Sequence, residues 1–298
     1  MKYLSIDVGG TFTKYAVMDE NCEFYKKDKV PTICDTTENF INMLVQIYEE
    51  NKEDVSGIAI SSAGIIDSKN GIMHTGGSLF CISNLDIVNR LEECCGVSVS
   101  IENDAKCAGM AEIWKGSLEG CQDAVVMILG TAVGGAIISE GKVLKGNHFL
   151  AGEFSYLFTD SKNALDPENT LAKRGGVPAL RELTAKELGI SKDNISGEKI
   201  FARAKQGDRK VLKAIRKYAH ALAIQITNYQ FMTDPEKIAI GGGISAQPLL
   251  IDMIREELVK LNHVYPHKVP IPEVTVCKFF NDSNLIGALY VHLQQKGV

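Results

Sequence analysis

No apolar stretch in this chain of 298 residues approaches the roughly 20 residues needed to cross a bilayer. The N-terminus enters a strand pattern at Tyr3 with no signal sequence ahead of it, so a cytoplasmic protein without membrane association is expected. Basic runs are also missing. The net charge of −5 is mildly acidic, which gives no electrostatic reason to expect nucleic acid or a membrane surface as partner. The eight cysteines contain no Cys-x-x-Cys pair. Cys107, Cys121 and Cys277 lie inside apolar strand or helix patterns, where cysteine behaves as a small buried hydrophobe. Adjacent Cys94 and Cys95 close a helical pattern and read as packing. What remains, 45% hydrophobic and 23% charged, is an ordinary globular composition, long enough for one large or two ordinary domains.

The most informative stretch runs from Ser98 to Trp114. A β-rich run from Val97 to Ile101 gives way at Glu102-Asn103-Asp104 to a helical pattern carried by Cys107, Ala108, Met110, Ala111 and Trp114. Polar side chains at a strand-to-helix junction face the crevice where α/β proteins hold ligands. For an Asn-Asp pair alone, helix capping is the simpler reading. The rest of the chain argues for more.

Two strands, Tyr3–Asp7 and Tyr15–Met18, flank Gly9-Gly10-Thr11, and Lys14 opens the second. The free N–H groups and hydroxyls of such a turn can hold phosphate oxygens. Asp7, just before it, would repel a nucleotide unless Mg2+ lay between them, which suggests an indirect metal role. A second hairpin repeats the arrangement: Ala124–Leu129, the turn Gly130-Thr131 with Gly134-Gly135 following, then Ala136–Ile138. Two such hairpins suggest a duplicated architecture with a phosphate in the cleft between halves.

Between them, Asp35-Thr-Thr-Glu has the form of a capping box before a stripe of Phe40, Met43, Leu44 and Ile47. Gly57–Ser61 reads as a buried strand running into Ala63-Gly64, and a helix is expected from about Leu85 to Cys94. His74 stands alone, as surface or hydrogen-bonded histidines usually do. Beyond the second hairpin, Gly152-Glu153-Phe154-Ser155-Tyr156 could be a surface turn or could accept hydrogen bonds from sugar hydroxyls. Residues 160–194 suggest only a weak helix from Ala179 to Leu188. A long helix from Arg209 to Met232 and a strand Lys237–Ile240 lead to Gly241-Gly242-Gly243-Ile244-Ser245, where backbone could lie flat against a base. A strand from Glu273 to Phe279 and a helix from Ser283 to Gln295 follow.

These motifs, in this order over nearly the whole chain, resemble those of ROK-family sugar kinases. The resemblance implies an α/β fold: a two-domain actin-like ATPase (ribonuclease H-like) architecture with a cleft between domains. Residues 1–115 would form the first, with helix 283–298 packing back on it, and 116–282 the second. It implies ATP, Mg2+ and a sugar as ligands, and a homodimer. Asp104 would be the general base. Gly64, Asn103, Asp104, Glu153 and Tyr156 would meet the sugar. Asp7, Gly9, Gly10, Thr11, Lys14, Gly130, Thr131 and Gly134 would hold phosphates, and Gly241, Gly242, Gly243 and Ser245 the adenosine.

Many family members carry a histidine two residues after the Gly-Glu pair and then a cysteine-rich zinc loop. Here Tyr156 takes the histidine's place, and no cysteine lies between Cys121 and Cys277, so no zinc of that type is expected. In those members the histidine contacts the sugar near its anomeric end, and its replacement leaves room for a substituent on the anomeric oxygen. Together with Thr75-Gly-Gly, this resembles the β-glucoside kinases of the family, which phosphorylate the 6-hydroxyl of cellobiose and similar sugars. A glucokinase or N-acylmannosamine kinase is the alternative, and a non-catalytic sugar sensor the alternative of another class. A repressor with an N-terminal DNA-binding module is disfavoured, because the first turn comes so early in the chain.

Overall fold

The structure, a computed structural model, describes every residue except Asp54, Lys162, Ala164 and Val298. The chain divides into two compact units, one of residues 1–116, 145–151 and 281–298 and the other of 117–144 and 152–280. Residues 145–151, inside the range expected for the second domain, thus pack with the first unit.

The first unit is built on β1 (Lys2–Val8), β2 (Phe12–Asp19), β3 (Phe24–Pro31), α1 (Thr37–Glu49), β4 (Val55–Ser62), β5 (Ile66–Asp67), β6 (Ile72–Thr75), β7 (Ser83–Asp86), α2 (Ile87–Cys95), β8 (Ser98–Asn103) and α3 (Asp104–Lys115). Its main sheet has the order β3-β2-β1-β4-β8, antiparallel on the β2 side of β1 and parallel on the β4 side. A small sheet, β5-β6-β7, stands apart from it. Strand β3 escaped the sequence reading because Phe-Tyr-Lys-Lys-Asp-Lys lacks apolar alternation. It is an almost wholly exposed edge, and lysines are the usual protection of such an edge.

Helix α1 buries Phe40, Met43, Leu44 and Ile47 as the stripe required, but Thr36 caps it, through Oγ1 to Asn39 N at 3.1 Å. Asp35 instead accepts from Thr36 N and the Asn39 side chain. Helix α2 starts at Ile87 rather than Leu85, because Ser83–Asp86 pairs with β6. Cys34 and Cys81 form a disulfide, a pairing that a reading of the cysteines as packing residues did not anticipate.

The second unit contains β9 (Ala124–Leu129), β10 (Val133–Ser139), β11 (Lys142–Val143), α4 (Leu171–Gly175), α5 (Val177–Leu188), α6 (Gly197–Lys205), α7 (Arg209–Thr233), β12 (Lys237–Gly241), α8 (Pro248–Asn262) and β13 (Glu273–Val276). Its sheet order, β11-β10-β9-β12-β13, repeats the first with the same sense of pairing. Helix α5 is well formed, with Leu180 fully buried against α7. The sequence signal was weak because Arg181, Glu182, Lys186 and Glu187 interrupt its apolar stripe.

The closing helix α9 (Ser283–Lys296) belongs to the first unit and crosses α3 tightly. A Cβ on Gly287 would lie 1.8 Å from the Cys107 carbonyl oxygen, so only glycine permits this approach. Cys107, Ala288 and Ala59 fill the contact, and burial lifts the Cys107 thiol well above its ordinary pKa. Farther along α9, His292 is fully buried, with Nδ1 3.0 Å from Ser100 Oγ.

Candidate active site

In the first unit, β8 runs two residues farther than the β-rich run suggests, so Glu102 and Asn103 end the strand and Asp104 opens α3. Asn103 caps the helix, its Oδ1 accepting from Lys106 N at 3.1 Å. Its Nδ2 also donates to the Gly64 carbonyl at 3.0 Å. Capping and positioning are therefore done by one amide. Gly64 has φ +114, and a Cβ there would sit 2.0 Å from the Thr75 carbonyl oxygen, so the backbone must be bare. Asp104 is half-buried, and its Oδ1 accepts from Ala105 N at 2.8 Å.

Glu102 is completely buried and meets Lys145 Nζ at 2.7 Å; the same lysine donates to Ser68 Oγ. Lys106, 2% exposed, donates from Nζ to the Phe149 carbonyl at 3.0 Å. Each lysine ties residues 145–151 to the flanks of Asp104. No sequence signal pointed to Lys145.

The first hairpin turn, Gly9-Gly10-Thr11, is braced from behind. Thr32 Oγ1 donates to the Gly9 carbonyl at 2.7 Å, and Thr32 N to the Thr11 carbonyl at 3.0 Å. The N–H groups of Gly10 and Thr11 have no partner among the described residues, so both remain available to an anion. Asp7 is 6% exposed and accepts from Asn284 Nδ2 at 3.0 Å and Ser61 Oγ at 3.3 Å; Lys14 Nζ lies 3.4 Å away. Asn284, at the start of α9, was not anticipated, since a lone Asn after a serine carries no spacing signal.

In the second unit, Gly130 N closes the turn onto the Ala132 carbonyl, Thr131 is exposed, and Gly134 lies in β10. Gly176 packs on the Thr131 carbonyl, where a Cβ would come within 2.5 Å. Gly241 ends β12, Gly242 adopts φ +89, and Gly243–Ala246 form a 3-10 turn. A Cβ on Gly242 would lie 2.1 Å from the Leu129 carbonyl oxygen. Ser245 is 1% exposed and its hydroxyl donates to the Gly242 carbonyl, which turns it into the loop. A cavity of about 490 Å³ opens between the two glycine turns, lined by Gly130, Val177, Gly197, Phe201, Gly243 and Gln247 among others. It brings together two motifs that lie far apart in sequence; the lining from α6 had no signal. Glu153 is half-buried ahead of the 3-10 turn Phe154–Tyr156. Phe154 anchors that turn by packing on Gly135 and stacking on Tyr229, with centroids 4.3 Å apart. Tyr156 is 69% exposed.

The residues around Asp7 also suit a divalent cation. Among the described residues there is no cluster of three His, Cys, Asp or Glu side chains. The Asp7 carboxylate and Ser61 hydroxyl supply hard oxygens, which fits Mg2+, an ion that takes few protein ligands and completes its shell with water and phosphate.

Paired sheets of one topology, each opening on a glycine-bearing turn, define a protein of the actin-like ATPase fold. The chain belongs to the ROK family, whose pattern matches residues 3–295. A β-glucoside kinase from Listeria innocua is 31% identical over 297 residues, 99% of each chain. Among solved structures, a Listeria monocytogenes protein named as a proposed N-acetylmannosamine kinase superimposes with a TM-score of 0.90 at 30% identity, covering 99% of this chain and 100% of that one. A Streptococcus pneumoniae ROK-family protein in complex with sucrose does so with 0.88 at 27% identity, covering 100% and 99%.

Proposed function

We propose that this carbohydrate kinase transfers the γ-phosphoryl group of ATP to the 6-hydroxyl of a β-glucoside such as cellobiose. The observation that carries the reading is the Asp104 carboxylate, held half-buried at the β8–α3 junction by Ala105 N and flanked by the pinned Asn103 amide. A sugar hydroxyl is too weak an acid to ionise near neutrality, so a carboxylate must accept its proton as the new P–O bond forms. Asp104 has that task, and Asn103, Gly64, Glu153 and Tyr156 orient the sugar. Positioning supplies most of the rate.

Gly9, Gly10, Thr11, Lys14, Gly130, Thr131 and Gly134 receive the phosphates. The cavity between Gly130 and Gly243, with Gly241, Gly242 and Ser245 shaping its edge, receives the adenosine. Asp7 would hold Mg2+, directly or through water, and that ion when bound neutralises phosphate charge. The exposed Tyr156, in place of a histidine, leaves the anomeric side open, and the Listeria innocua relative's name supports the same sugar class. The reading includes a cytoplasmic location and, carried by the family resemblance, a homodimer.

A coupled ADP-release assay with MgATP against cellobiose, phenyl β-glucoside, glucose and N-acetylmannosamine tests this. Preference for the first two is expected. Preference for N-acetylmannosamine, which the name of the Listeria monocytogenes structure favours, or for glucose would replace the substrate while keeping the chemistry. Silence on all four would restore the sensor reading.

A further inference from the structure

We propose that His74 and Phe149 form a binding platform for the second ring of a β-glucoside, with His74 Nε2 accepting a hydrogen bond from one of that ring's hydroxyls. This rests on the kinase reading above. The two residues come from separate parts of the chain, β6 and residues 145–151, and their rings stack with centroids 5.8 Å apart at 26°. Neither ring is buried in the core; both are half-exposed, so packing alone does not account for the pair.

Two left-handed residues converge on this imidazole. Asn84 has φ +45, a region asparagine tolerates, and Phe149 has φ +62, where a bulky side chain is a genuine outlier. Such backbones cost roughly 1–3 kcal/mol each and persist where the surroundings hold them, most often at ligand sites. Here Lys106 Nζ holds the Phe149 carbonyl at 3.0 Å, and Asn84 Oδ1 stands 3.0 Å from His74 Nδ1. With the amide oxygen as acceptor, the proton sits on Nδ1 and Nε2 presents a lone pair. Among the described residues nothing donates to Nε2.

The platform shares its anchors with the proposed sugar site. His74 N donates to the Ile65 carbonyl at 2.9 Å, one residue beyond the Gly64 carbonyl that holds Asn103. Lys106, which fixes Phe149, is two residues from Asp104 on α3. An aromatic face beside one directed acceptor is the usual composition of a specific small-molecule subsite. A sugar ring offers its C–H face to the phenyl ring and its hydroxyls to the imidazole. Phe80, almost fully exposed, has no such fixed partner among the described residues and is not part of the platform.

The test compares the wild-type protein with Phe149→Leu, His74→Ala and Phe149→Tyr, using coupled ADP release on cellobiose, phenyl β-glucoside and glucose, and calorimetric binding of cellobiose without nucleotide. Phe149→Leu and His74→Ala should each raise KM for both glucosides and weaken cellobiose binding about tenfold, about 1.4 kcal/mol. Glucose constants should move less than twofold, and Phe149→Tyr, which keeps the stacking face, should stay within threefold of wild type. An equal loss on glucose would show a structural role and overturn the platform. A wild type that turns over glucose but neither binds nor phosphorylates the glucosides would also overturn it, leaving the kinase reading standing. Should no sugar turn over, the kinase reading falls and calorimetry decides: cellobiose binding weakened tenfold by both substitutions upholds the platform, and absent binding ends it.

Discussion

Asp7 and Ile128 hold the same place in two copies of one hairpin. Asp7 faces Lys14 across β1–β2 and lies beside Ser61 of β4, whereas Ile128 faces Gly134 and lies beside Gly241 of β12. The backbone is repeated, but the charged and hydroxylated set of one copy is replaced in the other by an aliphatic residue between two glycines. A Cβ on Gly241 would come 2.5 Å from Ile128 Cδ1, so the bare glycine is what lets Ile128 fill its place. One topology therefore supports two tasks, a polar turn suited to a cation and phosphate and a lean one beside a cavity for a flat base. The helices that open beside the two sites also begin differently. Asn103 caps α3 with its own side chain, while Gln247 makes no side-chain cap to α8, where Pro248 opens the helix and Gln247 lines the cavity.

The largest expected effect tests an acid that the second copy lacks altogether. Strand β13 holds the sheet position of β8 with Val276 in the register of Ile101, so Lys278 and Phe279 stand where the first unit has Asn103 and Asp104. Asp104→Asn should lower kcat about 1000-fold, with sugar affinity by calorimetry changed less than threefold. A kcat within tenfold of wild type would remove Asp104 as the base.

The next effect is on stability and concerns the first unit's His292, whose pKa is lowered to about 4, first by burial and then by Lys296, against a smaller opposing pull from Glu92. The folded state refuses a proton that the unfolded chain accepts near pH 6.5, so stability is intact above that value. It falls as pH drops toward 4, by roughly 3 kcal/mol in total. Urea unfolding of wild type and His292→Gln between pH 7 and 4 should show this slope only in wild type; parallel curves would refute it.

Asp7→Asn should reduce kcat/KM about 100-fold, an effect of the size expected when a metal site loses a carboxylate that holds it, and shift the Mg2+ titration to higher concentration. Ile128→Val should change neither by more than threefold. Similar losses in both variants would erase the contrast between the hairpins. The smallest effect concerns capping: Thr36→Ala should cost about 1 kcal/mol by chemical denaturation and Gln247→Ala less than half of that.

Much of this was legible because it is local. The two turns, the Asn103–Asp104 junction, the α7 stripe and the final helix each announce themselves through spacing or glycine placement within a few residues. Strand β3 did not, since an exposed edge has no buried face to impose alternation. Lys145, Asn284 and the Cys34–Cys81 pair were hidden for another reason: their partners are distant in sequence, and nothing at either position signals the other. The cavity lining from α6 belongs to the same group. Glu102 was visible as part of a motif, but its complete burial against a lysine was not.

Asn284 is 277 residues from Asp7, whose carboxylate it holds. At translation speeds of about 5–20 residues per second, the hairpin that begins the chain waits roughly 14–55 seconds for this partner. All of the second unit's residues are synthesised in the interval, so that unit can fold on the ribosome while the first is still incomplete. Until α9 emerges, β1 and β4 lack their covering helix, and a nascent chain stalled before Asn284 should present that apolar surface to a chaperone.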